Sequence, residues 1–313
     1  MLNFIIKRLL TSILVIIGVT IVIFSLVHMA PGDPVQMMAG LDAKEEDIEA
    51  LRAKMGMDKP LIVQYFNYVK GLLHLDLGKS IITNKNISDE IFFRFRNTAE
   101  LAVAGMLISS VFGIIIGIIA AVNRDRWLDK TLMSLSITGI SMPSFLLALL
   151  LMLLLVSQWH LLPASGREGS PFTAEGFKYI ILPALTLGIS GTASIARLTR
   201  SPVVAVLNEE FVMTLKAKGL RRKMILFKHI LRNASLPILT MIGLDFGYLL
   251  GGAVVTETIF AWPGIGKYAM DAISQNDFPA VQGSVLILSM MFMLINLVVD
   301  LLYGVLDPRV SLE

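Results

Sequence analysis

The chain is expected to be an all-α polytopic membrane protein with six transmembrane helices. Three observations lead there. Hydrophobic residues fill 55% of its 313 positions and charged residues only 16%, against about 25% charged in soluble domains. A water-covered globule would lack the polar surface it needs. Six stretches, at about 8–29, 98–122, 131–156, 179–199, 236–256 and 280–304, come near the length of mostly apolar chain that crosses a bilayer, roughly 20 residues. Basic residues gather in alternate segments between them.

The first stretch mimics a signal peptide, with Lys7 and Arg8 ahead of the apolar run Leu9–Val27. That run exceeds the roughly 7–15 residues of a signal core. No small-residue cleavage site follows it, the chain reading His28-Met29-Ala30-Pro31-Gly32-Asp33. Residues 1–29 are therefore read as an N-terminal tail and a retained first span. The 30–97 segment is too long for a plain turn. Within it, Ile48, Leu51 and Met55 fall on one helical stripe, with Gly56 as a stop and Pro60 as a breaker. Leu61–Leu73 reads as a second short helix. The segment is expected to be an extracytoplasmic helical subdomain, either bracing the spans or docking an external partner.

Residues 98–313 hold the remaining five spans, inside which the backbone has to be helical because lipid offers no hydrogen-bond partner. Gly113 and Gly117 in span two, and Gly243, Gly247 and Gly251 in span five, recur every fourth residue. That spacing lets helices approach closely, and packing within the chain is favoured over homodimerisation. Thr186, Ser190, Thr192 and Ser194 dilute span four, which suits a helix buried among others. Pro143 and Pro183 are candidate kinks, and kinks often line a cavity. Asp245 is a carboxylate well inside span five, where an unpaired charge is costly. It faces either a translocation path or a hydrogen bond to another helix. Glu100, Glu257 and Asp300 lie near span ends, within expected reach of water. Asp245, Glu257, Pro143 and Ser141 are the candidate path or gate residues.

Charge sets the expected orientation. Lys7 and Arg8, then Arg124, Arg126 and Lys130, then the run from Arg197 to Arg232, and Arg309 share one side. The short loops opposite hold Arg167, Lys178 and Lys267. Both termini are therefore expected in the cytoplasm. The net charge of +3 hides a local excess. In the cytoplasmic coupling loop 200–235, residues 201–235 hold Lys216, Lys218, Arg221, Arg222, Lys223, Lys228 and Arg232 against Glu209 and Glu210 as acids. Glu209–Lys218 can form a short helix closed by Gly219. Arg221–Ser235 can form a second, with Phe227, Ile230, Leu231 and Ala234 on one stripe, before Pro237 opens span five. Such a loop can anchor to anionic lipid, bind nucleic acid, or present a helix to a partner protein. The third reading is preferred, and no nucleic-acid partner is expected.

The residue counts exclude much chemistry. With no cysteine, neither a thiolate metal site nor a cysteine nucleophile is possible. The four histidines, His28, His74, His160 and His229, are scattered. No GxxxxGK[ST] phosphate loop appears, so the chain is not itself a P-loop ATPase. No nucleophile–base constellation for a membrane hydrolase is visible.

Glu210-Phe-Val-Met-Thr-Leu-Lys-Ala-Lys-Gly219-Leu220, followed by Lys228-His-Ile-Leu-Arg-Asn-Ala-Ser-Leu-Pro237, resembles the cytoplasmic loop of bacterial ABC-importer permeases of the dipeptide/oligopeptide/nickel branch, first-permease type. Further matches follow in order: Ala30-Pro-Gly-Asp-Pro34, Met55-Gly-Met-Asp-Lys-Pro-Leu-Ile-Val-Gln-Tyr65, Leu75-Asp-Leu-Gly-Lys-Ser80, Ser141-Met-Pro-Ser144, Leu161-Leu-Pro163, Glu257-Thr-Ile-Phe-Ala-Trp-Pro-Gly-Ile-Gly266 and Asp307-Pro-Arg309.

The resemblance implies a type I ABC-importer permease fold in the bacterial cytoplasmic membrane. It implies a homologous second permease, two ABC ATPase subunits and an extracytoplasmic substrate-binding protein as partners. It implies no cofactor in this chain, with ATP and Mg used by the ATPases. Glu210, Phe211, Thr214, Leu215, Ala217, Lys218, Gly219 and Leu220 would form the coupling helix. Where many importers carry a glutamate before the loop glycine, this chain has Met213-Thr214-Leu215, so no individual salt bridge to the ATPase carries over. Peptides are the expected cargo, with nickel or a metal chelate as the alternative. An ion-coupled secondary carrier is the more distant rival, and sparse intramembrane charge argues against it.

Overall fold

The structure, a computed structural model, describes residues 2–29, 34–39 and 44–306. The Ala30–Asp33 part of the first proline-glycine motif and the Asp307-Pro-Arg309 motif lie outside these residues. Helices dominate: α1 (Leu2–Met29), α2 (Pro34–Ala39), α3 (Glu45–Met55), α4 (Leu61–Leu73), α5 (Ile87–Val122), α6 (Trp127–Ser141) and α7 (Ser144–Leu151), which continues as a π-helix over Met152–Gln158. Then come α8 (Ala174–Leu207), α9 (Glu210–Ala217) and α10 (Arg222–Met224), which runs through a π-helical segment (Ile225–Ile230) into α11 (Leu231–Ile259). Helices α12 (Ile265–Ser274) and α13 (Phe278–Leu306) close the described chain. Among the described residues the one strand-like pairing is an isolated bridge between Lys79 and Asn86.

Five of these helices are long and apolar enough to cross a membrane: α1, α5, α8, the continuous α10–α11 rod and α13. A sixth span is reached by taking α6 with α7 and its π extension as one. The expected third span is thus not continuous. It breaks at Met142–Pro143 and bends by 104°. Pro143 has no N–H to donate and forces Met142 into an extended backbone (φ −80, ψ 124), so the helix cannot pass. The 15 residues of α6 reach only about 22 Å, short of a bilayer core of about 30 Å.

The described residues pack as two compact units, one of residues 2–5, 98–262 and 294–306, the other of 6–29, 34–39, 44–97 and 263–293. In the first, α8 is the centre, the most deeply buried of the spans. Thr186 and Thr199 are buried in it, as its small polar composition foreshadowed. Its seam with α5 is made by glycines. A methyl group on Gly113 would lie 2.7 Å from Ile195 Cβ, and one on Gly117 would lie 2.6 Å from the Ala196 carbonyl oxygen. On α8, a methyl on Gly188 would meet Ile108 at 2.5 Å. Buried Ala121, Ile195, Val203, Ile230, Ala234, Ile238 and Ile242 close the core toward α10 and α11.

Pro237, expected to mark the entry to span five, lies inside the uninterrupted α11. One lost i→i−4 bond is tolerated there because buried Ala234 and Ile238 hold the helix on both sides. Of the expected stripe, Ile230 and Ala234 are buried and Leu231 packs on the same core, and only Phe227 departs from it. Through the π segment the buried positions are Ile225 and Ile230, five apart, and Phe227 is turned outward.

In the second unit, Asp277 fastens the Leu75–Ser80 motif. Ser80 Oγ donates to Asp277 Oδ2 at 2.5 Å and the Ile81 N–H donates to Oδ1 at 3.1 Å. Asn97 Nδ2 donates to the Pro263 carbonyl at 2.8 Å. Arg94 bonds Glu90 and lies 4.6 Å from the Tyr268 ring centre. Burial pushes the Tyr268 phenol up to about 12.

Candidate coupling surface and translocation path

Helix α9 is amphipathic along a short length. Val212 is fully buried, and Phe211, Leu215 and Leu220 pack against the same core as Ile225 and Ile230. Glu210, Thr214, Ala217 and Lys218 are exposed, as is Gly219. The expected coupling residues therefore divide into two groups. Phe211, Leu215 and Leu220 anchor the helix, while Glu210, Thr214, Ala217, Lys218 and Gly219 present a surface. Met213, 70% exposed, belongs to that surface and escaped the sequence reading. The spacing 210, 213, 214, 217, 218 is the helical signal that would have found it. Gly219 closes α9 with φ +77, its N–H bonding the Lys216 carbonyl at 3.0 Å, while the Leu220 N–H reaches Leu215 at 3.3 Å. A side chain there would meet open space, so the requirement for glycine is one of backbone conformation alone.

A second device stands just before α9 in the chain. Arg200, near the end of α8, grips Asp129 in the first turn of α6 through Nε–Oδ1 and Nη2–Oδ2, each 2.6 Å. The Asp129 side chain is 3% exposed and also accepts from the Asp125 N–H at 2.9 Å. This two-pronged pair ties the α5–α6 turn to the end of the helix that leads into α9. Nothing in the sequence spacing, 71 residues, would have revealed it.

On α11, Asp245 is half-buried and its Oδ2 has no hydrogen-bond partner. It packs against α8, where a methyl on Gly191 would lie 2.6 Å from that oxygen and 2.8 Å from Ser109 Cβ of α5. Ser109 Oγ instead donates to the Met106 carbonyl of its own helix, at 3.0 Å. One turn on, Tyr248 is 82% exposed, followed by exposed Gly251, Val255 and Thr258. Tyr248, one turn from Asp245 at the start of this exposed face, was not among the sequence candidates. Gly243 is tightly packed, a methyl there meeting Val299 of α13 at 2.2 Å, and Gly247 is buried. Gly251 departs from the expected packing role, because nothing lies within 4 Å of its missing side chain.

Glu257, expected within reach of water, is instead fully buried, and Thr98 Oγ1 donates to its Oε1 at 2.6 Å. Its placement follows from the turn after α11, where the Trp262 N–H bonds the Glu257 carbonyl at 2.8 Å and Ala261 takes a left-handed φ of 48. Nearby, Arg167 reaches Glu100 at 2.7 Å and lies 5.6 Å from the Trp262 ring centre, and the Gly166 N–H bonds the Phe260 carbonyl at 2.8 Å. Ser141 and Pro143 are both exposed at the 104° break between α6 and α7.

The family described as binding-protein-dependent transport system inner membrane component matches residues 113–312, and the description of its N-terminal region matches residues 1–102. The dipeptide transport system permease protein DppB of Escherichia coli strain K12 is 42% identical over 335 aligned residues, covering 99% of each chain. The glutathione transport system permease protein GsiC of Salmonella typhimurium strain LT2 is 42% identical over 310, again covering 99% of each. Among solved structures, an amino acid ABC transporter with histidines shares the fold at a TM-score of 0.51 and 15% identity, covering 71% of this chain and 94% of that one. With its apolar spans and 42% identity over 99% of each chain to two permeases, the chain belongs to the binding-protein-dependent transport system inner membrane components and is a non-catalytic permease subunit of an ABC importer.

Proposed function

We propose that this permease carries di- or oligopeptides across the bacterial cytoplasmic membrane, with both termini in the cytoplasm. It pairs with a homologous second permease, receives cargo from an extracytoplasmic binding protein, and is driven by two ABC ATPases that use ATP and Mg. The observation that carries the cargo reading is 42% identity, over 99% of both chains, to permeases named for a dipeptide and for glutathione, itself a tripeptide. The orientation rests on the basic residues that surround α9. In this reading the exposed face Glu210, Met213, Thr214, Ala217 and Lys218 seats on an ATPase, and the buried face of α9 passes the movement to α8 and α11. Asp245 and Tyr248 line the path, since an unpartnered carboxylate and an exposed tyrosine on one span face a wet or protein-lined surface more favourably than lipid.

The test is uptake by proteoliposomes that hold the complete transporter with its binding protein outside and ATP inside. Radiolabelled dialanine is expected to accumulate, and nickel chloride is not. Nickel accumulation without any peptide uptake would overturn the cargo reading while leaving the permease assignment intact.

A further inference from the structure

We propose that α4 is an interfacial helix, immersed in the lipid leaflet that holds the C-terminal end of α1, rather than part of a water-surrounded external domain. The inference rests only on α1 crossing the bilayer, and it commits to lipid acyl chains as the occupant of the open face of α4.

The first observation is depth. Tyr65 Oη lies 2.9 Å from Thr20 Oγ1, and His28 Nε2 lies 3.1 Å from Gln64 Oε1. The Phe24 ring sits 5.4 Å from that of Tyr65 and 6.1 Å from that of Tyr68. The first turns of α4, through Gln64, Tyr65 and Tyr68, thus pack on α1 between Thr20 and His28. Thr20 is nine residues before the end of α1, about 13 Å down the helix axis. A helix held at that level beside a membrane span cannot stand clear of the bilayer.

The second observation is what α4 leaves uncovered. Ile62, Phe66 and Leu73 are 70%, 67% and 80% exposed, and at 100° per residue they fall within about 40° of one another. Tyr65 and Tyr68 point to α1, while Asn67 and Lys70, with Val63 between them, fall on the remaining side, where the polar groups gather. One side on a span, one apolar and open, and one polar is the three-way division an interfacial helix requires.

The third is exposure and charge. In the apolar stretch of α1 only 11% of the positions are buried, so α1 and α4 both present uncovered apolar side chains. Helix α4 itself carries one base, Lys70, and no acid, while Lys59 and His74 at its two ends stand beside Asp58 and Asp76.

The chain has no cysteine, so single labels can be placed cleanly. Spin labels at Ile62→Cys and Phe66→Cys would be read in the complete transporter in nanodiscs, by saturation with oxygen and with a water-soluble nickel chelate. Leu14→Cys on α1 serves as the lipid control and Lys85→Cys as the water control. Labels on α4 are expected to match Leu14, with high oxygen and low chelate accessibility. Chelate accessibility equal to that of Lys85 would overturn the proposal in favour of an aqueous face. Shielding from both reagents would overturn it in favour of a protein partner. Chelate access at Leu14 as well would fault the span assignment of α1 instead.

Discussion

Gly219 adopts a left-handed backbone that an L side chain enters only at about 1–2 kcal/mol, although the space around it is empty. Gly219→Asp should therefore leave the core under α9 intact while misdirecting the turn that follows the helix. The variant is expected to reach the membrane at normal levels, with uptake per ATP hydrolysed falling several-fold. Normal coupling in that variant would remove Gly219 from the coupling surface. Asp245 makes a different kind of test, because its Oδ2 has no bond to lose. Asp245→Asn keeps the shape that Gly191 accommodates and deletes only the charge. Peptide uptake is expected to fall about tenfold, the scale of 1.4 kcal/mol, or to shift in substrate preference. Unchanged transport with unchanged preference would assign Asp245 to helix packing.

At the level of elements, the seam between α5 and α8 and the open side of α11 use the same residue for opposite ends. A side chain at Gly117 would start 2.6 Å from both the Ala196 carbonyl and Thr199 Cβ, whereas one at Gly251 would touch nothing. Gly117→Leu is expected to cost about 1–3 kcal/mol or more through overpacking. Gly251→Ala is expected to be neutral or to stabilise by up to about 1 kcal/mol through helix propensity. Thermal unfolding of the purified transporter separates the two, and equal effects would contradict the seam. The contrast also shows where a sequence pattern runs out. A glycine every fourth residue marks a helix face, but not whether another helix covers it.

Local signals carried well. Pro60 and the apolar run after it were enough to place Leu61–Leu73, and Gly56 with its φ of +68 stops α3 where its sequence position required. The third span was harder. Its hydropathy runs through Met142 and Pro143 unbroken, and only the backbone restriction before proline turns one span into two helices at 104°. Phe227 was misplaced because a π segment shifts the phase by a residue, which no 3.6-residue template can register. The Asp129–Arg200 pair and the burial of Glu257 against Thr98 depend on contacts between distant segments, and distant pairing has no local signature.

For the molecule as a whole, the mildly basic net charge resolves into one basic loop, 201–235, on an otherwise nearly balanced chain. That loop holds α9, anchored on the core that joins α8 to α11. The chain has no phosphate-binding loop of its own, so its movement has to come from the ATPases its family works with. The most direct test is ATP dependence. Peptide uptake would be measured in proteoliposomes containing the assembled transporter, with ATP loaded inside and the proton gradient dissipated by a protonophore. Uptake is expected to persist without the gradient and to stop when the ATPase subunits are inactivated. Uptake that survives ATPase inactivation and collapses with the gradient would contradict the importer mechanism and identify a secondary carrier.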